Sequence, residues 1–305
     1  MDPTVRSAFT QISATLFRSV IMTMAVVILL LPASGCVDLT AVSKFTSQSS
    51  EALTQGKAVL EDIEASCVRS HIAEEPIPAD KNQLFDPNLV SRAAADPACM
   101  DYAKVQTGEL SVLQILTDYF TALSQLASTG TASTGKNASS SAQTAKQTSS
   151  QPENVLGAVS GLADFLGQVV ANGYHERKLD QGITDRNDDV AAVISGLKDI
   201  VQNRYENDVL VKEQQIITVA ASDRVDGTTE KSIKALYRIQ WQGAMDLITQ
   251  KKVAADAFLK ALDTIQQGHN ALTKTTSPKA KSVSSIIQPY TDSISSLIPS
   301  IQKAL

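Results

Sequence analysis

Aromatic side chains are scarce in this chain, 5% of 305 residues with a single tryptophan. That shortage argues against a sandwich or barrel, whose strands favour aromatic and β-branched residues. No proline occurs between Pro152 and Pro278, so nothing in that stretch obliges a helix to kink or end. Positive charge is also in short supply. The 27 Lys and Arg against 32 Asp and Glu leave a net charge of −5, without the basic stripe that nucleic-acid binding needs. What is present is a 43% hydrophobic complement, enough for a real core, dominated by residue types that suit helix packing. The composition predicts an all-α protein.

Near the amino terminus, Leu31-Pro32-Ala33-Ser34-Gly35-Cys36 closes a stretch from Val20 to Leu31 that is apolar apart from Thr23. Arg6 and Arg18 lie upstream, giving the positive, apolar, small-residue order of an export signal. The apolar run is too short to span a bilayer as a stable helix. With a cysteine at the cut, the segment resembles the lipobox of bacterial lipoproteins. That resemblance implies removal of residues 1–35 as a signal peptide. It further implies a mature chain beginning at Cys36, a diacylglycerol on the Cys36 thiol and attachment to a membrane through that lipid. Val37 stands where inner-membrane lipoproteins typically carry aspartate, which implies an outer-membrane address facing the periplasm or the cell exterior.

If Cys36 is lipidated, Cys67 and Cys99 are the remaining cysteines. In an oxidising compartment such a pair becomes a disulfide, stabilising the fold by about 3 to 4 kcal/mol in the chain-entropy model. A metal or redox site is the alternative, but the pair lacks C-x-x-C spacing and nearby histidine ligands.

Helical periodicity organises most of the mature chain. Val42, Phe45, Ser49, Ala52, Gly56, Leu60, Ile63 and Cys67 alternate spacings of three and four, predicting a helix from about residue 40 to 72. Pro76, Pro78 and Pro87 make the next segment a loop, with at most a short helix near Asn88 to Ala95. Asp96-Pro97 reads as N-cap and first position of a second long helix. Residues 129–151 are nearly all Ser, Thr, Ala, Gly, Gln and Lys and predict a flexible linker.

Beyond the linker, one seam runs Ile183, Asn187, Val190, Ile194, Leu197, Val201, Tyr205, Val209, Lys212, Ile216, Val219. A second runs Ile233, Leu236, Gln240, Ala244, Leu247, Lys251, Ala254, Phe258, Leu262, Ile265, His269, Leu272. Both average close to 3.5 residues, the coiled-coil spacing, and Asp226-Gly227-Thr228 breaks them. An antiparallel hairpin with arms of about 65 to 70 Å is expected. Pro278, Pro289 and Pro299 should then cut the tail into shorter helices, one of them around Ala280 to Gln288.

The constellations capable of chemistry are thin. His71, His175 and His269 are far apart, and none belongs to a metal-binding pair. Ser195-Gly196-Leu197-Lys198 matches S-x-x-K, but its companion motifs and a sheet to hold them are missing. Neither a phosphate-binding glycine loop nor a dinucleotide fingerprint occurs. Val155 to Ala171 is nearly all apolar, with Gly157 and Gly161 in small-xxx-small spacing. It reads either as a helix buried on most sides or as a membrane-active element, and a central Asp164 favours burial. Asn187, Lys212, Gln240 and Lys251 interrupt the seams. They either fix register or mark a solvated edge where another chain docks.

The expectation is therefore an all-α, elongated antiparallel helical bundle with a long coiled-coil-like hairpin. Residues 36–128 form an N-terminal helical part with the disulfide loop, and 152–305 a long-helix part packed with it. No catalytic residue, metal or cofactor is expected. The function expected is that of an envelope scaffold or adaptor, with an envelope protein or a second copy docking near Lys212, Gln240 and Lys251. A helical pore-forming or membrane-remodelling protein using 155–171 is the alternative.

Overall fold

The computed structural model describes residues 39–75, 86–172, 176–274 and 282–303, and among these the chain is helical, with no strand. Cys36 and the signal segment, His175, Pro76, Pro78 and Pro278 lie outside the described residues.

Helix α1 (Leu39–Glu74) buries Val42, Phe45, Ser49, Ala52, Gly56, Leu60 and Ile63, the face that the spacing predicts. After the short α2 (Leu89–Ala94), Asp96 caps α3 (Pro97–Thr129) by accepting the Ala98 N–H at 2.8 Å. Pro97 occupies the first turn, where its missing donor costs nothing. Such a cap is worth about 1 kcal/mol. At the far end Gly130 adopts a left-handed φ of 74° while its N–H bonds Leu126 O, a termination glycine tolerates best. Cys99, in the first turn of α3, is joined to Cys67 of α1 by a disulfide with Cα atoms 5.5 Å apart.

The segment expected to be a flexible linker is corrected in part. Within it Ala138–Thr148 forms α4, with Ala138, Ala142 and Ala145 buried against α3 and α5 (Glu153–Asn172). Alanine orders at little side-chain entropy cost, so large apolar groups are not required. The fully buried Glu109 also ties this segment down. It accepts from Ser149 Oγ at 2.9 Å, Ser150 N at 3.1 Å and Gln151 Nε2 at 2.7 Å.

Two shorter helices, α6 (Glu176–Asp185) and α7 (Asn187–Asp199), lead into a π-helical stretch, Ile200–Val209, continued by α8 (Leu210–Asp226). The three successive four-residue steps Leu197, Val201, Tyr205 and Val209 stay on one buried face because the i→i+5 turn holds more residues than an α turn. That insertion also offsets the register, so Glu213 faces the core where the seam predicts Lys212. A tight turn then leads to α9 (Lys231–Thr273), which packs against α8 as the expected hairpin.

The tail is a correction as well. One helix, α10 (Val283–Gln302), contains both Pro289 and Pro299. Both prolines are exposed, as are Ser285 and Ser295 four residues earlier, so the carbonyls deprived of a donor face water. The opposite face, with Ile287, Ile294, Ile298 and Ile301, is buried against α1 and α9.

Two reciprocal insertions set the register of the core. The Phe258 ring of α9 sits over Gly56 of α1, and the Phe45 ring of α1 over Gly268 of α9, so closely that a Cβ at either glycine would collide with the ring. These pairs make α1 and α9 antiparallel.

Candidate functional site

Three stretches distant in sequence converge on a buried ionic cluster. Asp62 and Arg69 come from α1, Tyr205 from the π stretch, Glu213 from α8 and Lys251 from α9. Arg69 donates to Glu213 Oε1 at 2.5 Å and to Asp62 Oδ2 at 2.9 Å. Ser66 Oγ donates to Glu213 at 2.5 Å, and the Tyr205 hydroxyl to Asp62 at 2.9 Å. Lys251 Nζ lies 3.0 Å from Asp62 Oδ2 and 4.0 Å from Glu213 Oε2. Two carboxylates and two cations cancel, which is the condition for charges to persist away from water. Burial pulls the Arg69 pKa down, but its hydrogen bonds to Glu213 and Asp62, with their negative charges, outweigh it and raise the value. For Lys251 burial outweighs the attraction of Asp62 and Glu213, and its pKa is lowered. Burial, then the Asp62 charge, raises the Tyr205 phenol.

A second buried polar group lies further along α9. His269, fully buried, contacts the Tyr119 hydroxyl through Nε2 at 2.9 Å and Asn187 Oδ1 through Nδ1 at 3.1 Å. Since Asn187 Oδ1 can only accept, Nδ1 carries the proton and Nε2 accepts from Tyr119. The neutral ring is satisfied on both sides, and burial pushes its pKa down to about 3.

These contacts sort the polar interruptions of the seams. Asn187 and Lys251 are internal partners that fix register. Lys251 is 3% exposed, so its expected place on a docking surface is corrected. Lys212 and Gln240 are exposed, with Lys212 paired to Asp208 at 2.7 Å. The cluster itself was not read from the sequence. Asp62 and Arg69 sit in one periodic segment, Tyr205 and Glu213 in another and Lys251 in a third, and the one available signal is a charge on a face otherwise apolar.

Cys67, His71 and Cys99 offer ligand atoms within 4.8 Å of one another. Their sulfurs are bonded to each other, so neither is the thiolate a metal would take. His71 Nε2 lies 3.5 Å from Asp96 Oδ1.

The outer end of the hairpin is different in kind. Between Gln214 and Leu247 no residue is buried. Leu236 is 51% and Ile239 69% exposed, and Val219, Ile233, Leu247 and Val253 are exposed with them. A cleft of about 740 Å³ opens where α8 and α9 meet the end of α1, lined by Ile216, Val219 and Ile233 among polar neighbours. Arg224 crosses it, donating to Ala73 O at 3.0 Å. The predicted seam of α9 is buried from Lys251 onward, at Ala254, Phe258, Leu262, Ile265, His269 and Leu272. Its earlier members Leu236, Gln240 and Leu247 are exposed.

The apolar helix α5 buries Val155, Val159, Leu162, Phe165, Leu166 and Val169 against α3, α4 and α7. It is also long and apolar enough to cross a membrane by length and composition. No protein-family model, curated protein or solved structure matches this chain.

Proposed function

We propose that this protein is a lipid-anchored scaffold or adaptor of the bacterial envelope. In this reading Cys36 carries the lipid, the outer membrane is the attachment site, and the outer end of the α8–α9 hairpin meets a protein partner. The observation that carries the reading is the group of exposed aliphatic residues on distal α9, on a stretch where no residue is buried. Clustered apolar exposure of this kind marks an interaction surface, and apolar anchors at helical spacing suit helix-in-groove or bundle-completing contacts.

A photocrosslinker at Ile239 in intact cells tests it. Specific crosslinked products are expected, and the paired change Leu236→Glu and Ile239→Glu should remove them while helicity and melting stay as in the parent. Unchanged crosslinks in that variant would contradict the reading. The membrane-spanning length of α5 favours a second reading, a pore-forming protein that releases α5 from the bundle. Dye release from vesicles by the chain lacking its lipid, abolished by charged substitutions in α5, would favour that reading.

A further inference from the structure

We propose that a second copy of this chain covers the outward face of distal α9, the two helices crossing antiparallel at Gly243; the inference rests on the hairpin being the interaction surface. Leu236, Ile239, Gly243, Asp246, Gln250 and Val253 alternate spacings of three and four and are all exposed. They form a heptad-type stripe on the side of α9 turned from α8, toward which Trp241 donates to Thr218 Oγ1 at 3.3 Å. Ile233, Gln240 and Leu247 flank it, also exposed.

This seam is self-complementary about Gly243. In an antiparallel pair centred there, residues at equal distances on either side of Gly243 face each other. Ile239 then meets Leu247 of the second copy. Gln240 meets Asp246, an amide donor against a carboxylate. Gln242 already donates to Asp246 Oδ1 at 2.9 Å, which leaves the other oxygen free to accept. Leu236 meets the stem of Gln250. No like charges oppose each other along the seam, and a two-fold contact demands this matching of a surface with itself.

Gly243 lies at the centre of this pairing. A Cβ there would meet nothing within 4 Å, as at Gly157 and Gly167 of α5, so a second helix can approach to van der Waals distance.

The size of the seam sets the strength. Residues 236–253 span about 25 Å, and a helix is about 10 Å wide, giving a footprint on the order of 250 Å² per copy, well below the roughly 800 Å² per partner of a stable interface and in the range of weak, transient contacts. The pair should therefore form and dissociate with concentration, and attachment of both copies to one membrane would raise their effective concentration.

Sedimentation of the purified full chain in detergent, from about 1 to 100 µM, tests this together with cysteine pairing. The expected result is a reversible monomer–dimer equilibrium, weakened at least tenfold by Gly243→Leu with no loss of helicity or melting temperature. Mixing an Ile239→Cys chain with a Leu247→Cys chain should give a crosslinked heterodimer in higher yield than either alone. A monomer throughout that range, or Ile239→Cys pairing best with itself, overturns the proposal. If the chain stays monomeric while the in-cell crosslinks from Ile239 run to a different protein, the dimer falls and the adaptor reading survives. If those crosslinks are missing as well, both fall.

Discussion

Between Ile248 and Leu272, α9 buries a lysine and a histidine; between Lys231 and Leu247 the same helix leaves Ile233, Leu236, Ile239 and Leu247 in water. The contrast shows that burial here follows what lies across from the helix more than the polarity of each residue. Lys251 is enclosed because Asp62 and Glu213 approach it from α1 and α8. His269 is enclosed because Tyr119 and Asn187 match both ring nitrogens.

The distal half has no such neighbours because other helices stop short of it. Phe258 over Gly56 and Lys251 beside Asp62 set the α1–α9 register, which puts Cys67 level with about residue 246 at equal rise per residue. Cys99, bonded to Cys67, lies in the first turn of α3, so α3 begins near that level. Tyr290 packs beside Gly268, and the same arithmetic brings the end of α10 to about residue 256 of α9. Past these ends the hairpin has little to pack against except itself and the end of α1.

The largest effect that separates the two halves should come from Lys251→Met. It leaves two buried carboxylates facing Arg69 alone, and removing one member of a buried charge cluster costs about 3 to 5 kcal/mol. Lys212→Met, at the exposed Asp208 pair, should change stability by less than about 0.5 kcal/mol. Denaturant melts of the two variants beside the parent make the comparison. Equal effects would mean that the cluster does not hold the proximal half together.

How much of this was legible in the sequence follows the same division. The apolar face of α1, the Asp96-Pro97 start of α3, the disulfide and the hairpin can be read because each rests on local spacing, a cap or a cysteine pair. The ionic cluster cannot. Glu213 replaced Lys212 on the inner face because a π-helical stretch intervened, and seven-residue averaging carries no sign of one. Pro289 and Pro299 looked like breaks until their exposure showed the freed carbonyls solvated. The alanines of α4 were discounted because they are small, although small size is what lets α4 lie close against α3. The outer half of the α9 seam, from Ile233 to Leu247, has no buried residue where the spacing predicts packing, since the sequence does not state where neighbouring helices end.

A smaller effect concerns pH. Burial holds the His269 pKa near 3, below its ordinary 6.5, so between those values the unfolded chain binds a proton that the folded chain does not. The neutral ring's contribution is complete above pH 6.5 and is lost as pH falls toward 3. Stability should be about 2 kcal/mol lower at pH 5 than at pH 8 from this group. Subtracting the pH profile of His269→Gln from that of the parent isolates the contribution. Superimposable profiles would show that the ring is not held neutral.

Amide hydrogen exchange resolved along α9, at low and high protein concentration, tests most directly the claim that one helix serves as core at one end and as a docking surface at the other. Amides from Ile248 to Leu272 should exchange only through global unfolding at every concentration. Those from Lys231 to Leu247 should exchange through local opening when the protein is dilute and gain protection as it is concentrated. Uniform protection along the whole helix, indifferent to concentration, would contradict the account.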